Sequence, residues 1–163
     1  MQNMTVRIIV SSCLVGKKCA YDGLARENKA VKDLCSRFGY IDVCPEIEGG
    51  LQCPREIHEI ESGDGLDVLN AKSRVKSCSG KDSTEGFILG AKSTLAKAQK
   101  NHIKVAVLKA RSPSCGNGLV YSGKFDGKTR KGNGVTTALL LRHGIFVFTE
   151  DNLKEADNLL KSG

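Results

Sequence analysis

The sequence predicts an α/β fold with a central, mostly parallel sheet flanked by helices, and three observations carry that expectation. Short apolar runs that read as strands alternate with stretches of helical period. The runs are continuous rather than alternating, as in strands covered on both faces. Three of them, VRIIVSSC, YIDVC and IKVAVLKARSPSC, are followed by a cysteine at or just beyond their carboxyl ends.

Val6 to Ser11 is the first buried strand. In ARENKAVKDLCSRFG, residues Val31, Leu34, Cys35 and Phe38 fall at i, i+3, i+4 and i+7, one face of a helix, with Gly39 placed to end it. YIDVC is the second strand. Residues 45–81 contain two prolines, many glycines and no sustained period, so they read as an excursion over the sheet with short extended pieces. A helix restarts in DSTEGFILGAKSTLAKAQKN. There Asp82 and Glu85 have capping-box spacing, and Phe87, Ala91, Leu95 and Ala98 share a face. IKVAVLKA is the third strand. Residues 111–134 hold six glycines and read as a long functional loop or a small hairpin. VTTALLLRHG is a helix, IFVFTE the fourth strand, and DNLKEADNLLKSG a last helix with Leu153, Ala156, Leu159 and Leu160 turned inward. These elements fit a Rossmann-like arrangement, in which ligands bind beyond the carboxyl ends of the strands.

A chain of 163 residues suffices for one complete core, so one domain spanning 1–163 is expected. At 40% hydrophobic and 26% charged residues the composition is that of a folded globular chain, not a disordered one. No apolar run approaches a membrane span, and the N-terminal run is too short for a signal region, so a cytoplasmic protein is expected, with no membrane association. No obligate protein partner is inferred. A net charge of +7 suits an anionic partner such as a nucleotide or RNA, whereas 5% aromatics and no Trp supply a base-stacking surface poorly.

Seven cysteines in a chain read as cytosolic point to metal binding, catalysis or incidental packing rather than to a disulfide framework. If the strands are parallel, Cys13, Cys44 and Cys115 gather on one edge of the sheet. Thiols so gathered can hold zinc or an iron–sulfur cluster, provide a nucleophile, or pack as small hydrophobes. No C-x-x-C pair is present. Cys35 belongs to an inner helical stripe, and Cys78 to a polar loop. Cys19 and Cys53 are open cases, Cys53 being a candidate fourth ligand or resolving thiol. A phosphatase loop of the C-x5-R type needs an arginine where this chain has Cys19.

The glycine-rich segment matches neither a dinucleotide nor a P-loop pattern. Its Lys124, Lys128, Arg130 and Lys131 read first as a solvated face, and its KGNG as a source of amides usable by an anion. His58, His102 and His143 are isolated. The last two suit helix ends, and no Ser-His-Asp or Cys-His set can be assembled.

The motifs VSSCLVGKKCAYDG, VCPEIEGGLQCPRE, LKARSPSCGNG and GNGVTTALL closely resemble the family once catalogued as domain of unknown function 523, whose characterised members are thiouracil desulfidases. The resemblance runs from about Val6 to Glu150. It implies a [4Fe–4S] cluster held by Cys13, Cys44 and Cys115, with a fourth iron left open for the substrate sulfur. It further implies non-redox removal of sulfur from a thiolated uracil, giving uracil and hydrosulfide, with Glu46 and Ser112 as the catalytic pair. Tyr21, Asp22 and Arg111 are further candidates for orienting a pyrimidine ring. A fourth thiolate from Cys53 would close the open iron. Two other classes stand beside this one. One is an iron–sulfur or zinc protein that senses or scaffolds without turnover; the other is an RNA-associated desulfidase acting on thiolated tRNA bases.

Overall fold

The computed structural model describes residues 5–163; the N-terminal reading falls partly on residues 1–4, outside the described residues. Strand β1 (Ile8–Ser11) runs into a 3-10 turn (Ser12–Val15), then α1 (Lys29–Phe38), β2 (Tyr40–Val43) and α2 (Pro45–Glu48). After β3 (His58–Ile60), α3 (Gly65–Leu69) and β4 (Val75–Ser77) come α4 (Thr84–Lys100) and β5 (Val105–Leu108). β6 (Leu119–Tyr121), β7 (Thr129–Lys131), α5 (Val135–Arg142), β8 (Phe146–Thr149) and α6 (Leu153–Ser162) complete the order.

The central sheet has the order β2-β1-β5-β8 and is parallel at every pairing. Its period-2 alternation divides the core. Ile8, Val10, Val105 and Val107 pack with Val31, Leu34 and Cys35 of α1 and with Ala156 and Leu160 of α6. Ile9, Ala106, Leu108 and Val147 face the other way, onto Ala98 of α4 and Leu140 of α5. Both faces are covered, which is why these strands read as unbroken apolar runs. Each large aliphatic side chain removed from water this way contributes about 1.5–3 kcal/mol before entropy. The chain leaves β1 toward β2 and returns to β5 on β1's other side, so strand order reverses between β1 and β5. Such a reversal opens a crevice at the carboxyl edge.

Helix α1 starts at Asn28, whose side chain accepts from Val31 N–H at 3.1 Å. It ends at Gly39, where φ of 74° lets the backbone turn away. The stripe read from sequence is the buried one, Cys35 included, and Cys78 is exposed.

Residues 45–81 are more ordered than an excursion. They form α2, α3 and the antiparallel hairpin β3–β4, which covers a second apolar cluster of Ile60, Val75, Phe87, Ala91 and Leu139. Helices of four and five residues are shorter than the window in which a helical period can register. The capping box assigned to Asp82 and Glu85 is replaced by another arrangement: Ser83 is the N-cap of α4, and Asp82 Oδ1 accepts from both the N–H (3.0 Å) and the hydroxyl (2.6 Å) of Thr84. Residues 111–134 resolve into a tight loop and the hairpin β6–β7. Lys124, Lys128 and Lys131 are exposed there, but Arg130 is a staple, donating to the Ile60, Gly63 and Ser122 carbonyls. No helix among the described residues is long and apolar enough to cross a membrane.

Candidate active site at the carboxyl edge of the sheet

Each of the three strand-end cysteines is set by local backbone structure. Cys13 lies in the 3-10 turn after β1, and its carbonyl accepts from Arg26 N–H at 2.9 Å, folding the 16–26 loop back over the edge. Cys44 is the extended residue before α2, with Pro45 at the first helical position, where its missing N–H is no loss. Glu46 follows in the same single turn. α2 lies hard against α4: a Cβ at Gly90 would stand 1.8 Å from the Pro45 carbonyl oxygen.

Cys115 is held by a hydrogen-bonded loop. Its N–H donates to Ser112 Oγ at 2.8 Å, and Gly116 N–H to the Ser112 carbonyl at 2.9 Å. The first amides of α5 serve the same loop. Val135 N–H donates to the Pro113 carbonyl at 2.9 Å, Thr136 N–H to the Ser114 carbonyl at 2.8 Å, and Thr137 Oγ1 to the Cys115 carbonyl at 2.8 Å. The amides of KGNG and the helix start are thus engaged internally, which corrects their reading as an anion cradle. Ser11 Oγ, at the end of β1, lies 3.7 Å from the Cys115 sulfur. Gly134 has to be glycine, since a Cβ there would stand 2.5 Å from the Ser114 carbonyl carbon. We expect Gly134→Ala to cost about 1–3 kcal/mol by overpacking, read as a lower urea midpoint at unchanged m-value.

Cys13, Cys44, Cys115, Glu46 and Ser112 all line one cavity of about 190 Å³, together with Cys19, Tyr21, Arg55 and His58. Of the two open cysteines it is Cys19 that belongs here. Cys19 is buried and lines the cavity, and its carbonyl accepts from the Cys44 thiol at 3.8 Å. Cys53 is exposed, its thiol turned to the Lys18 (3.3 Å) and Ala20 (3.6 Å) carbonyls, outside the lining. Tyr21 lines the mouth. Asp22 instead grips Arg26, and Arg111 pairs with Asp151 at 3.0 Å, neither among the lining residues.

Two lining residues escaped the sequence reading. Arg55 donates to Glu46 Oε2 at 2.8 Å in a largely buried pair. His58 bonds the Glu56 carbonyl through Nδ1 (2.8 Å) and Ser83 Oγ through Nε2 (2.9 Å). A carbonyl can only accept, so Nδ1 carries the proton, and Nε2 of the neutral ring accepts from the hydroxyl. Burial lowers the His58 pKa, in keeping with the neutral form. Nothing in the spacing of Arg55 relative to Glu46 signals their contact, nor does the position of His58 signal its place on the cavity, because the turn after α2 brings them there.

In the protein alone the Cys19, Cys44 and Cys115 thiols are held neutral. Burial pushes Cys115 up to about 11. Hydrogen bonding to Cys13, and then burial, push Cys19 up to about 11, and the bond to Cys19 with burial raises Cys44 further. Metal binding requires thiolates, so loading such a site releases protons. The donor set is soft sulfur, suited to zinc or iron–sulfur chemistry. Among the described residues, however, no three Cys, His, Asp or Glu side chains converge tightly enough to hold one ion. A cluster takes each thiolate on a different iron and so fits spaced thiols around a cavity better than a single zinc does.

Thiols from three separate strand ends, beside a buried carboxylate–guanidinium pair, define an α/β protein with a sulfur-lined pocket at the crevice of a parallel sheet. The chain belongs to the 2-thiouracil desulfurase family, whose model matches residues 8–152. It is 42% identical over 148 residues to the Bacillus subtilis (strain 168) protein YbbK, described as uncharacterized, covering 91% of this chain and 98% of that one. Among solved structures it resembles the [4Fe-4S]-dependent thiouracil desulfidase TudS, with a TM-score of 0.86 and 38% identity over 97% of this chain and 99% of that one.

Proposed function

We propose that this protein is a thiouracil desulfidase: a single Rossmann-like domain in which Cys13, Cys44 and Cys115 hold a [4Fe–4S] cluster and Glu46 and Ser112 carry the proton chemistry. The observation that supports it most is the presence of all five side chains on one cavity at the strand-order reversal. Family membership and the likeness to TudS support the substrate class, a thiolated pyrimidine.

When bound, the cluster supplies an open iron, a Lewis acid for the substrate sulfur. The overall change is hydrolytic: the carbon–sulfur bond breaks, a carbon–oxygen bond forms, and sulfur leaves as hydrosulfide with no net electron transfer. Water adding to that carbon must lose a proton. Glu46 is the carboxylate on the cavity, and with Oε2 bound by Arg55, Oε1 is the oxygen that takes it and returns it to the leaving sulfur. Ser112 Oγ accepts from Cys115 N–H and lies 3.4 Å from Ser114 Oγ, so its own hydrogen can turn from that neighbour to orient the water or the ring when substrate is bound.

Anaerobic incubation of the protein with iron and sulfide, followed by a thiouracil assay, tests this reading. We expect cluster uptake and one hydrosulfide released per uracil formed. A protein that takes up no cluster, or takes it up and turns over no thiouracil, overturns it.

A further inference from the structure

Arg55 lies on no regular element, between α2 and β3, yet its side chain is only 5% exposed. Its backbone N–H donates to the Tyr21 carbonyl at 2.8 Å. Its guanidinium reaches three acceptors: Nη2 donates to Glu46 Oε2 at 2.8 Å and to the Cys19 carbonyl at 3.1 Å, and Nη1 to the Gln52 carbonyl at 3.2 Å. Nε is buried and meets no protein acceptor. A cation in this position loses hydration and leaves one donor unmatched. An apolar side chain would fill the same space without either penalty, so burial alone does not account for an arginine here.

Glu46 supplies the other half of the argument. It sits on a helix of four residues, a scaffold too short to restrict the rotamers of a long side chain by packing along its own face. The carboxylate is nonetheless held, through the fork of a residue nine positions away.

We propose that Arg55 is the positioning residue of the site: it fixes the Glu46 carboxylate with Oε1 available to the cavity and ties the Cys19–Tyr21 segment of the wall to that same group. The assignment rests on the reading of Glu46 as the base. Charge alone is not enough for this task. Lysine keeps the charge but is a point donor and cannot hold the carboxylate, the Cys19 carbonyl and the Gln52 carbonyl in one plane. Misplacing a catalytic group by about 1 Å lowers turnover on the order of a hundredfold.

The test compares Arg55→Lys and Arg55→Ala with wild type in the cluster-loaded protein, measuring iron per chain, Tm, kcat and KM. We expect unchanged iron content and a kcat lower by roughly ten- to a hundredfold, with KM within about threefold. Added guanidinium ion should restore part of the kcat of Arg55→Ala. A kcat that stays at the wild-type value, or that falls only in step with iron content or folded fraction, overturns the assignment. A readout independent of turnover is the ¹³C-carboxyl resonance of Glu46 in the cluster-free protein. It should be single and narrow in wild type and should move or broaden in Arg55→Lys; an identical resonance in both overturns the assignment even if the wild type proves inactive. Wild-type inactivity by itself counts against the proposed function, not against the Glu46–Arg55 coupling.

Discussion

Cys13→Ala, Cys44→Ala and Cys115→Ala should each abolish cluster uptake and desulfidation, whereas Cys53→Ala should keep both; this is the largest effect expected from the site. The three cysteines enter the cavity from the ends of β1, β2 and β5, and the other cysteine on its lining, Cys19, comes from the loop after the 3-10 turn rather than from a strand end. On the proposed ligation, losing one would leave an iron without its thiolate, a deficit that Cys35, Cys53 and Cys78, off the cavity, cannot supply without rearranging the sheet edge. Cys53 stands outside the cavity with its thiol on two backbone carbonyls, so its removal deletes only a surface contact. Cys19 is the sharper control, because it lines the same cavity and its carbonyl accepts from the Cys44 thiol at 3.8 Å. With three ligands sufficient, Cys19→Ala also loads cluster. Iron and acid-labile sulfide per chain, with electron paramagnetic resonance of the reduced protein, measure the outcome. Loss of cluster in Cys53→Ala would sink the ligand assignment.

Glu46→Gln is the second large effect. Glutamine has the shape of glutamate, and its carbonyl oxygen can still accept from Arg55, so the wall of the cavity survives. What disappears is a group able to take a proton from water. General-base catalysis typically contributes about 10²- to 10⁴-fold, and kcat should fall by that factor with iron content and KM little changed. Single-turnover thiouracil loss under anaerobic conditions reads it directly. A variant within tenfold of wild type would move the base to another residue.

The legible parts of this molecule are those with a period or a compositional contrast. β1 and β5 stand out as unbroken apolar runs, α4 presents enough residues for one face to show, and α1 has an apolar stripe closed by a glycine. α2 and α3 lack that length. The Glu46–Arg55 contact was hidden for another reason: it depends on the path of the turn after α2, which spacing does not encode. Cys53 and Cys19 show the same limit. Cys53 follows the Cys44 motif closely in sequence, but the chain between them carries it to the surface, while the loop after the 3-10 turn folds Cys19 inward. The glycines of KGNG were conspicuous as glycines; that Gly134 meets the Ser114 backbone was not.

That three thiols come from three neighbouring strands far apart in sequence has a consequence for how the protein matures. The pocket does not exist in the nascent chain, nor in any fragment lacking β5, since Cys115 joins Cys13 only after the sheet has closed. Nucleating a cofactor site from such remote positions carries a loop-closure penalty that the apolar core, not the cofactor, must overcome. On the proposed function, loading would then be a late event performed on a finished receptor. A cellular delivery system would have to recognise the folded apoprotein, and a shortage of iron would leave behind an intact empty protein rather than an unfolded one.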